Sequence, residues 1–69
     1  MGKYNERHGG PYDRGGADSY YRRPRDPHYY TKDTYNSIRI EKDKMTDEEI
    51  EAYNAGFDDN ESFGYFKEW

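Results

Sequence analysis

The sequence predicts a small α+β domain with one helix, one strand and a long irregular region. Three observations predict this class: a capped segment at about 46–56, an alternating segment at about 34–41, and a first third rich in glycine, proline and tyrosine. With 69 residues the chain forms at most one domain, and a domain of this size buries little of its surface. We expect residues 1–33 to be a basic loop region that becomes ordered on binding a partner. Residues 34–69 are expected to form an acidic strand–helix–turn core.

The apolar side chains are few and mostly aromatic. The chain has no leucine, valine or cysteine, and isoleucine and phenylalanine together supply only six residues. This is far below the roughly 20% under which disorder becomes common. However, nine tyrosines and one tryptophan can bury large areas when their polar tips are hydrogen-bonded. We therefore expect a thin aromatic core, with arginines paired to Asp13, Asp18 and Asp26, and with order supplied in part by a partner or by a second copy in a homo-oligomer.

The first third of the chain is interpreted as turns. Glycine pairs at 9–10 and 15–16 break regular structure, and prolines punctuate the arginine-rich stretch that follows. A short helix at 16–21, with Asp18 near its start, is the alternative for this stretch.

The strand prediction covers TYNSIRIE, at about 34–41. Thr34, Asn36, Ile38 and Ile40 alternate with residues that face the other way, and this period of two with β-branched residues is typical of a strand. The sequence offers no second clean run to pair with it.

The helix prediction covers about 46–56, within MTDEEIEAYNAGF. Thr46 is an N-cap and Glu49 completes a capping box, while the acidic first turn suits the helix dipole. Gly56 is interpreted as the C-terminal stop of this helix.

Three aromatic residues follow at intervals of three: Phe63, Phe66 and Trp69. We expect them to fold back on the face of the helix that carries Tyr53, and to make most of the core.

Charge is divided unevenly along the chain. Eight basic and five acidic residues give residues 1–40 a charge of +3, whereas three basic and ten acidic residues give residues 41–69 a charge of −7. The two halves can attract each other, within one chain or between chains, or the acidic half can face a basic partner.

The sequence contains no pattern that predicts an enzyme, a metal site or a bound cofactor. His8 and His28 are interpreted as partly exposed loop residues, because each lies beside a glycine or proline and their spacing fits no zinc pattern. The acidic run at 58–61 lacks the ligand spacing of a calcium loop. GGPYDRGG lacks the order of a phosphate-binding loop.

The strongest functional expectation is a binding surface rich in tyrosine and arginine. These residue types dominate the energetics of protein interfaces, and a protein complex is the expected partner. The candidates are Tyr12, Arg14, Tyr20, Tyr21, Arg22 and Arg23.

Two alternatives remain open from the residues alone. Tyrosine rings stack on bases and arginines contact phosphates, so the same surface could bind single-stranded nucleic acid, rRNA or a nucleotide. The acidic half could instead mimic nucleic-acid phosphates, with Asp58, Asp59 and Glu61 as the acidic face.

The chain also resembles a family of small bacteriophage-encoded proteins. The shared pattern is a YDRGxADxYY box at 12–21, the Pro27-His28 pair, and a segment AYxAGF…KxW that ends at Trp69. The resemblance implies an accessory phage protein made in the cytoplasm of the bacterial host. We expect it to bind a host macromolecular complex, such as a defence or housekeeping system, and to inhibit it. We expect no membrane partner, because no apolar run reaches membrane-spanning length.

AYNAGF, at 52–57, is similar to a segment of ribosome modulation factors, which bind ribosomal RNA. Those proteins are basic, whereas residues 41–69 are acidic here. The shared segment therefore predicts helix-and-turn packing, with Tyr53 and Gly56 in structural roles.

Overall fold

The computed structural model describes residues 4–31 and 37–68 and contains two helices and one small sheet. Helix α1 spans Pro11–Tyr20 and helix α2 spans Asp47–Phe63. Strands β1, His28–Tyr30, and β2, Arg39–Glu41, pair antiparallel, with Tyr29 opposite Ile40. A 3-10 turn at Lys42–Lys44 leads from β2 towards α2. The predicted small α+β domain is confirmed.

Helix α2 begins as the sequence predicts but ends later. Thr46 Oγ1 accepts a hydrogen bond from the Glu49 amide at 3.1 Å, and Glu49 Oε1 accepts one from the Thr46 amide at 2.8 Å, which confirms the capping box. The predicted stop at Gly56 is wrong, because the helix continues through Phe63 and ends at Gly64, which has a left-handed φ of 75°. Gly56 lies inside the helix for a reason of packing rather than termination.

Helix α1 replaces the loop that was expected in the first third. Pro11 occupies the first helical turn, where its missing N–H costs nothing. The helix therefore starts five residues before the alternative at 16–21, and Asp18 lies in its last turn rather than near its start.

The two helices cross with their backbones in contact, and we call Gly15 and Gly56 together the helix crossing. A methyl group at Gly15 would collide with the carbonyl oxygen of Tyr53, and one at Gly56 would collide with that of Tyr12. Only glycine fits at these two positions, so the helices pack through backbone atoms. Tyr53 and Gly56 thus have the structural roles that the sequence predicts.

The sheet includes a strand that sequence reasoning missed. Strand β2 covers only residues 39–41 of the predicted strand at 34–41: residues 37 and 38 precede it, so the prediction is wrong there, and residues 34–36 lie outside the described part of the chain. Its partner β1 has only three residues, too few to show a periodicity. The Tyr30 amide also donates a hydrogen bond to the Gly9 carbonyl at 2.8 Å, which ties β1 to the loop before α1.

The core is small and unusually polar. Met45, Ala52 and Tyr53 are its buried hydrophobic residues, and Asp18, Ser19 and His28 are buried with them. The C-terminal aromatics do not make most of the core, because Phe63 is 66% exposed; Trp69 lies outside the described residues. Within the described ranges, no helix is both long and apolar enough to cross a membrane.

Candidate functional site

Helix α1 ends in a tight turn that carries arginine where glycine is usual. The Arg23 amide donates to the Asp18 carbonyl at 2.8 Å and the Arg22 amide donates to the Ser19 carbonyl at 2.9 Å. This pair of bonds is the Schellman motif, whose C′ residue is left-handed and usually glycine. Arg22 fills it with φ 59°, the only positive φ among the described non-glycine residues. The helix therefore ends in a long cationic side chain, at the energetic cost of a left-handed backbone.

The C-terminal tail lies against this turn and adds further rings. The Lys67 amide donates a hydrogen bond to the Tyr20 carbonyl at 2.7 Å, and the Arg22 guanidinium lies 5.0 Å from the centre of the Phe66 ring. The side-chain amide of Asn60 donates to the Tyr65 carbonyl at 2.6 Å, which fixes the start of the tail. The ends of the two helices therefore share one surface.

We call this surface the aromatic end. Of the five large hydrophobic side chains that are exposed in the described part of the chain, four lie here, the fifth being Ile38. Exposed rings clustered with arginines are the typical composition of protein-binding hot spots. The residues of the aromatic end are Tyr20, Tyr21, Arg22, Arg23, Phe63, Tyr65 and Phe66.

Tyr20 and Tyr21 of the aromatic end border an open groove along α1. The rings of Tyr20 and Tyr21 meet edge to face at 5.0 Å, and the Arg23 guanidinium lies 5.0 Å from the Tyr21 ring. The groove encloses about 350 Å³ and is lined by these tyrosines together with Tyr12 and Gly16. It is large enough to receive side chains of another molecule.

The six candidate residues divide between different parts of the molecule. Tyr20, Tyr21, Arg22 and Arg23 come together at the aromatic end, as the expected surface requires. Tyr12 lines the groove, but its hydroxyl donates to Asp59 on α2, and this hydrogen bond raises the pKa of Tyr12 to about 12.

Arg14 lies in another environment, next to the sheet. Its Nε–H donates to His28 Nε2 at 3.2 Å, and its guanidinium lies 5.4 Å from the Tyr30 ring. Sequence reasoning grouped Arg14 with the other arginines because they are close along the chain, although its side chain contacts His28 and Tyr30 of the sheet.

A buried polar cluster joins the helices beneath the sheet; it consists of Asp18, His28 and Tyr53. The Tyr53 hydroxyl donates to Asp18 Oδ2 at 2.5 Å and accepts from the Asp26 amide at 3.1 Å. Burial, and then the bond to Asp18, raises the pKa of Tyr53 above its ordinary value of 10.0. The cluster stabilises the crossing because each polar group has a partner.

The expectation that His28 is a partly exposed loop residue is wrong. It is 2% exposed and lies on β1, whereas His8 is exposed as expected. A backbone carbonyl can only accept, so the contact of 2.8 Å between Nδ1 and the Asp26 carbonyl places a proton on Nδ1. Nε2 then carries the lone pair that accepts from Arg14. The only sign of this burial in the sequence was the neighbourhood of His28, with a proline before it and two tyrosines after it.

The three residues of the acidic face all contact the first half of the chain. Asp58 pairs with Arg25 at 2.6 Å, Asp59 accepts from Tyr12, and Glu61 accepts from Ser19 Oγ at 2.6 Å. Of these contacts, the ion pair between Arg25 and Asp58 joins opposite charges of the two halves within one chain, which is one of the arrangements expected from the charge asymmetry.

Within residues 4–31 and 37–68, no three histidines or carboxylates lie close enough together to hold a metal ion. No protein-family model, curated protein or solved structure matches this chain. The resemblance to the phage family thus stays a prediction.

Proposed function

We propose that this protein is a bacteriophage accessory protein that binds a host protein complex in the bacterial cytoplasm and inhibits it, without catalysing a reaction. The observation that carries the proposal is the aromatic end. In a protein of 8.3 kDa, exposed rings from both helix ends stand together beside two arginines rather than being used in a scarce hydrophobic core.

The strained turn at Arg22 supports a role for this surface in binding. A left-handed non-glycine residue costs about 1–2 kcal/mol, which is a large fraction of the stability of a small domain. Gly64 closes α2 in the left-handed conformation without that cost. Because strain of this kind concentrates at functional sites, we propose that Arg22, whose guanidinium lies over the Phe66 ring, also contacts the partner.

The chemistry of the aromatic end indicates the kind of partner. The exposed rings of Phe63 and Tyr65 favour an apolar centre, and Arg22 and Arg23 favour carboxylates around it. We therefore propose a partner surface with apolar pockets and an acidic rim. Occupying such a surface would block whatever the host complex binds there, which is the simplest route to inhibition for so small a protein.

Binding to single-stranded nucleic acid is the second candidate, favoured by the exposed edge-to-face pair of Tyr20 and Tyr21 next to Arg23. Salt separates the two candidates, because nucleic-acid binding weakens steeply with salt whereas an aromatic protein interface does not.

The test is affinity capture from bacterial lysate with the tagged protein, with and without nuclease and at two salt concentrations. We expect one defined protein complex to be retained after nuclease treatment and to survive the higher salt. Retention that disappears with nuclease or with salt would replace the proposal with nucleic-acid binding. Loss of retention on neutralising Asp58, Asp59 and Glu61, in a variant that thermal melting shows to be folded and with the tyrosines intact, would favour the acidic mimic instead.

A further inference from the structure

A second concave site lies next to the sheet, away from the exposed rings of Phe63 and Tyr65. It encloses about 210 Å³ between the end of α1, the segment that leads to β1, and β2. Three arginines and two aspartates line it, which leaves one net positive charge in a chain whose net charge is −4. The lining residues that matter below are Arg14, Arg23, Arg39, Asp18, Asp26 and Tyr30. We call this site the arginine cleft.

Arg14 and Arg23 approach the same atom from different segments of the chain. Their terminal nitrogens lie 3.8 and 3.6 Å from Asp18 Oδ1. Both distances exceed those of a hydrogen bond. A guanidinium carries five donors, so both groups keep N–H donors beside one another at the cleft, and one small anion can contact both.

Asp18 balances only one of the two charges of Arg14 and Arg23. Asp18 is buried, and its other oxygen accepts the hydrogen bond from Tyr53. Arg14 is fixed by its bond to the neutral His28 and by the Tyr30 ring. Because its side chain is fixed, Arg14 loses little conformational entropy when it binds an anion.

Arg39, on strand β2, is the third arginine of the lining. It pairs with Asp26 at 3.0 Å and with Glu41 at 2.7 Å. Asp26 and Glu41 therefore compensate the charge of Arg39, and the positive charge that remains at the cleft comes from Arg14 and Arg23, of which Asp18 balances one.

We propose that the arginine cleft binds the terminal phosphate group of a phosphate monoester. Two converging guanidinium groups suit the oxygens of a phosphate dianion, which arginine contacts with paired N–H donors. The cleft is smaller than the roughly 300–1,000 Å³ typical of sites that enclose a whole ligand. It therefore takes the phosphate group, and the organic part of the ligand lies outside.

This proposal is independent of the protein interface proposed above, although Arg23 borders both sites. The test is an NMR titration of the full chain with inorganic phosphate and with adenosine monophosphate, at constant ionic strength balanced by chloride. We expect saturable shifts at the amides of residues 14, 23 and 39 with both phosphates and none with chloride. A Tyr20→Ala variant should keep these shifts, which separates failure of this site from failure of the aromatic end.

Arginine variants decide whether the cleft itself binds. Arg23→Gln should weaken phosphate binding at least about tenfold, because charge-assisted hydrogen bonds are lost. Arg25→Gln is the matched control, since Arg25 pairs with Asp58 outside the cleft, and it should leave the affinity unchanged. Equal weakening by both variants, or shifts that chloride reproduces, would overturn the site. Tighter binding of an oligonucleotide that lacks a terminal phosphate would overturn the assignment to a monoester.

Discussion

Tyrosine has two opposite uses in this protein, inside at the buried polar cluster and outside at the aromatic end. Tyr53 is fully buried, and its hydroxyl serves both Asp18 and Asp26. Tyr20 and Tyr21 contact each other and remain exposed. The difference teaches that hydrogen-bonded tyrosine can replace aliphatic residues in a core, and that a tyrosine left on the surface in such a chain is available for binding. The predictions below test this division, beginning with the interior.

The largest effect should come from Gly15→Ala at the helix crossing. The new methyl group would meet the Tyr53 carbonyl, and backbone cannot yield as a flexible side chain can. We expect a loss of about 3 kcal/mol or more, which leaves a domain of this size mostly unfolded by circular dichroism and urea titration.

Gly16→Ala is the matched control, because its methyl group would only come within 3.7 Å of the Gly56 carbonyl oxygen. This neighbouring change should stabilise the protein by about 0.5–1 kcal/mol through helix propensity. Equal losses for the two variants would contradict the backbone contact at Gly15.

The next largest effect should come from Tyr53→Phe. It removes the donor to a buried carboxylate and the acceptor for the Asp26 amide, so the free energy of unfolding should fall by about 2–3 kcal/mol. Tyr20→Phe removes a hydroxyl from an exposed side chain and should change stability by less than about 0.5 kcal/mol. Similar losses from both changes would erase the distinction between interior and surface tyrosines.

Alkaline pH should destabilise the protein through the tyrosines whose hydroxyls donate to carboxylates. The pKa of Tyr53 is raised above 10.0 and that of Tyr12 to about 12, so the folded chain binds these protons more tightly than the unfolded chain. Their stabilisation is complete below pH 10 and is lost as the pH rises from 10 through the folded values. Thermal melts across this window should show the loss in the wild type and a smaller loss in Tyr53→Phe. A pH dependence unchanged by Tyr53→Phe would contradict the role of its proton.

The smallest effect on stability should come from Arg22→Gly at the aromatic end. Relief of the left-handed strain, about 1–2 kcal/mol, is partly offset by the greater freedom of glycine in the unfolded chain. We expect stability to stay equal or to rise by less than about 1 kcal/mol, while capture of the host complex weakens. A clear loss of stability on urea titration would instead make Arg22 a structural residue.

Local signals were predictable from the sequence, and contacts between distant segments were not. The capping box at Thr46 and Glu49 depends on residues three apart, and it is present. Gly56 was interpreted as a helix stop. The reason for glycine at this position is the close approach of α1, which lies some forty residues away in the sequence. Helix α1 was expected only as the shorter alternative at 16–21. Its first half was missed since two glycines in its middle oppose a helix in isolation, although Pro11 after Gly10 was a usable start signal.

The candidate site was predictable only in part for the same reason. Composition identified Tyr20 to Arg23, because they are adjacent in sequence. The meeting of Arg22 with Phe66 depends on the tail returning to α1 through the bond between Lys67 and Tyr20. The burial of His28 depends on its neighbours in space, Asp18 and Arg14, and no spacing along the chain encodes that.

The measurement that tests the central claim most directly is capture of the host complex by a Tyr20→Ala/Tyr21→Ala variant, compared with wild type and with Ile38→Ala. Ile38 is exposed but lies outside the aromatic end, so it controls for loss of any surface hydrophobic side chain. With all three proteins shown to be folded by thermal melting, we expect the double variant to retain less than about a tenth of the complex and Ile38→Ala to retain it fully. Full retention by the double variant would contradict the assignment of the aromatic end as the binding surface.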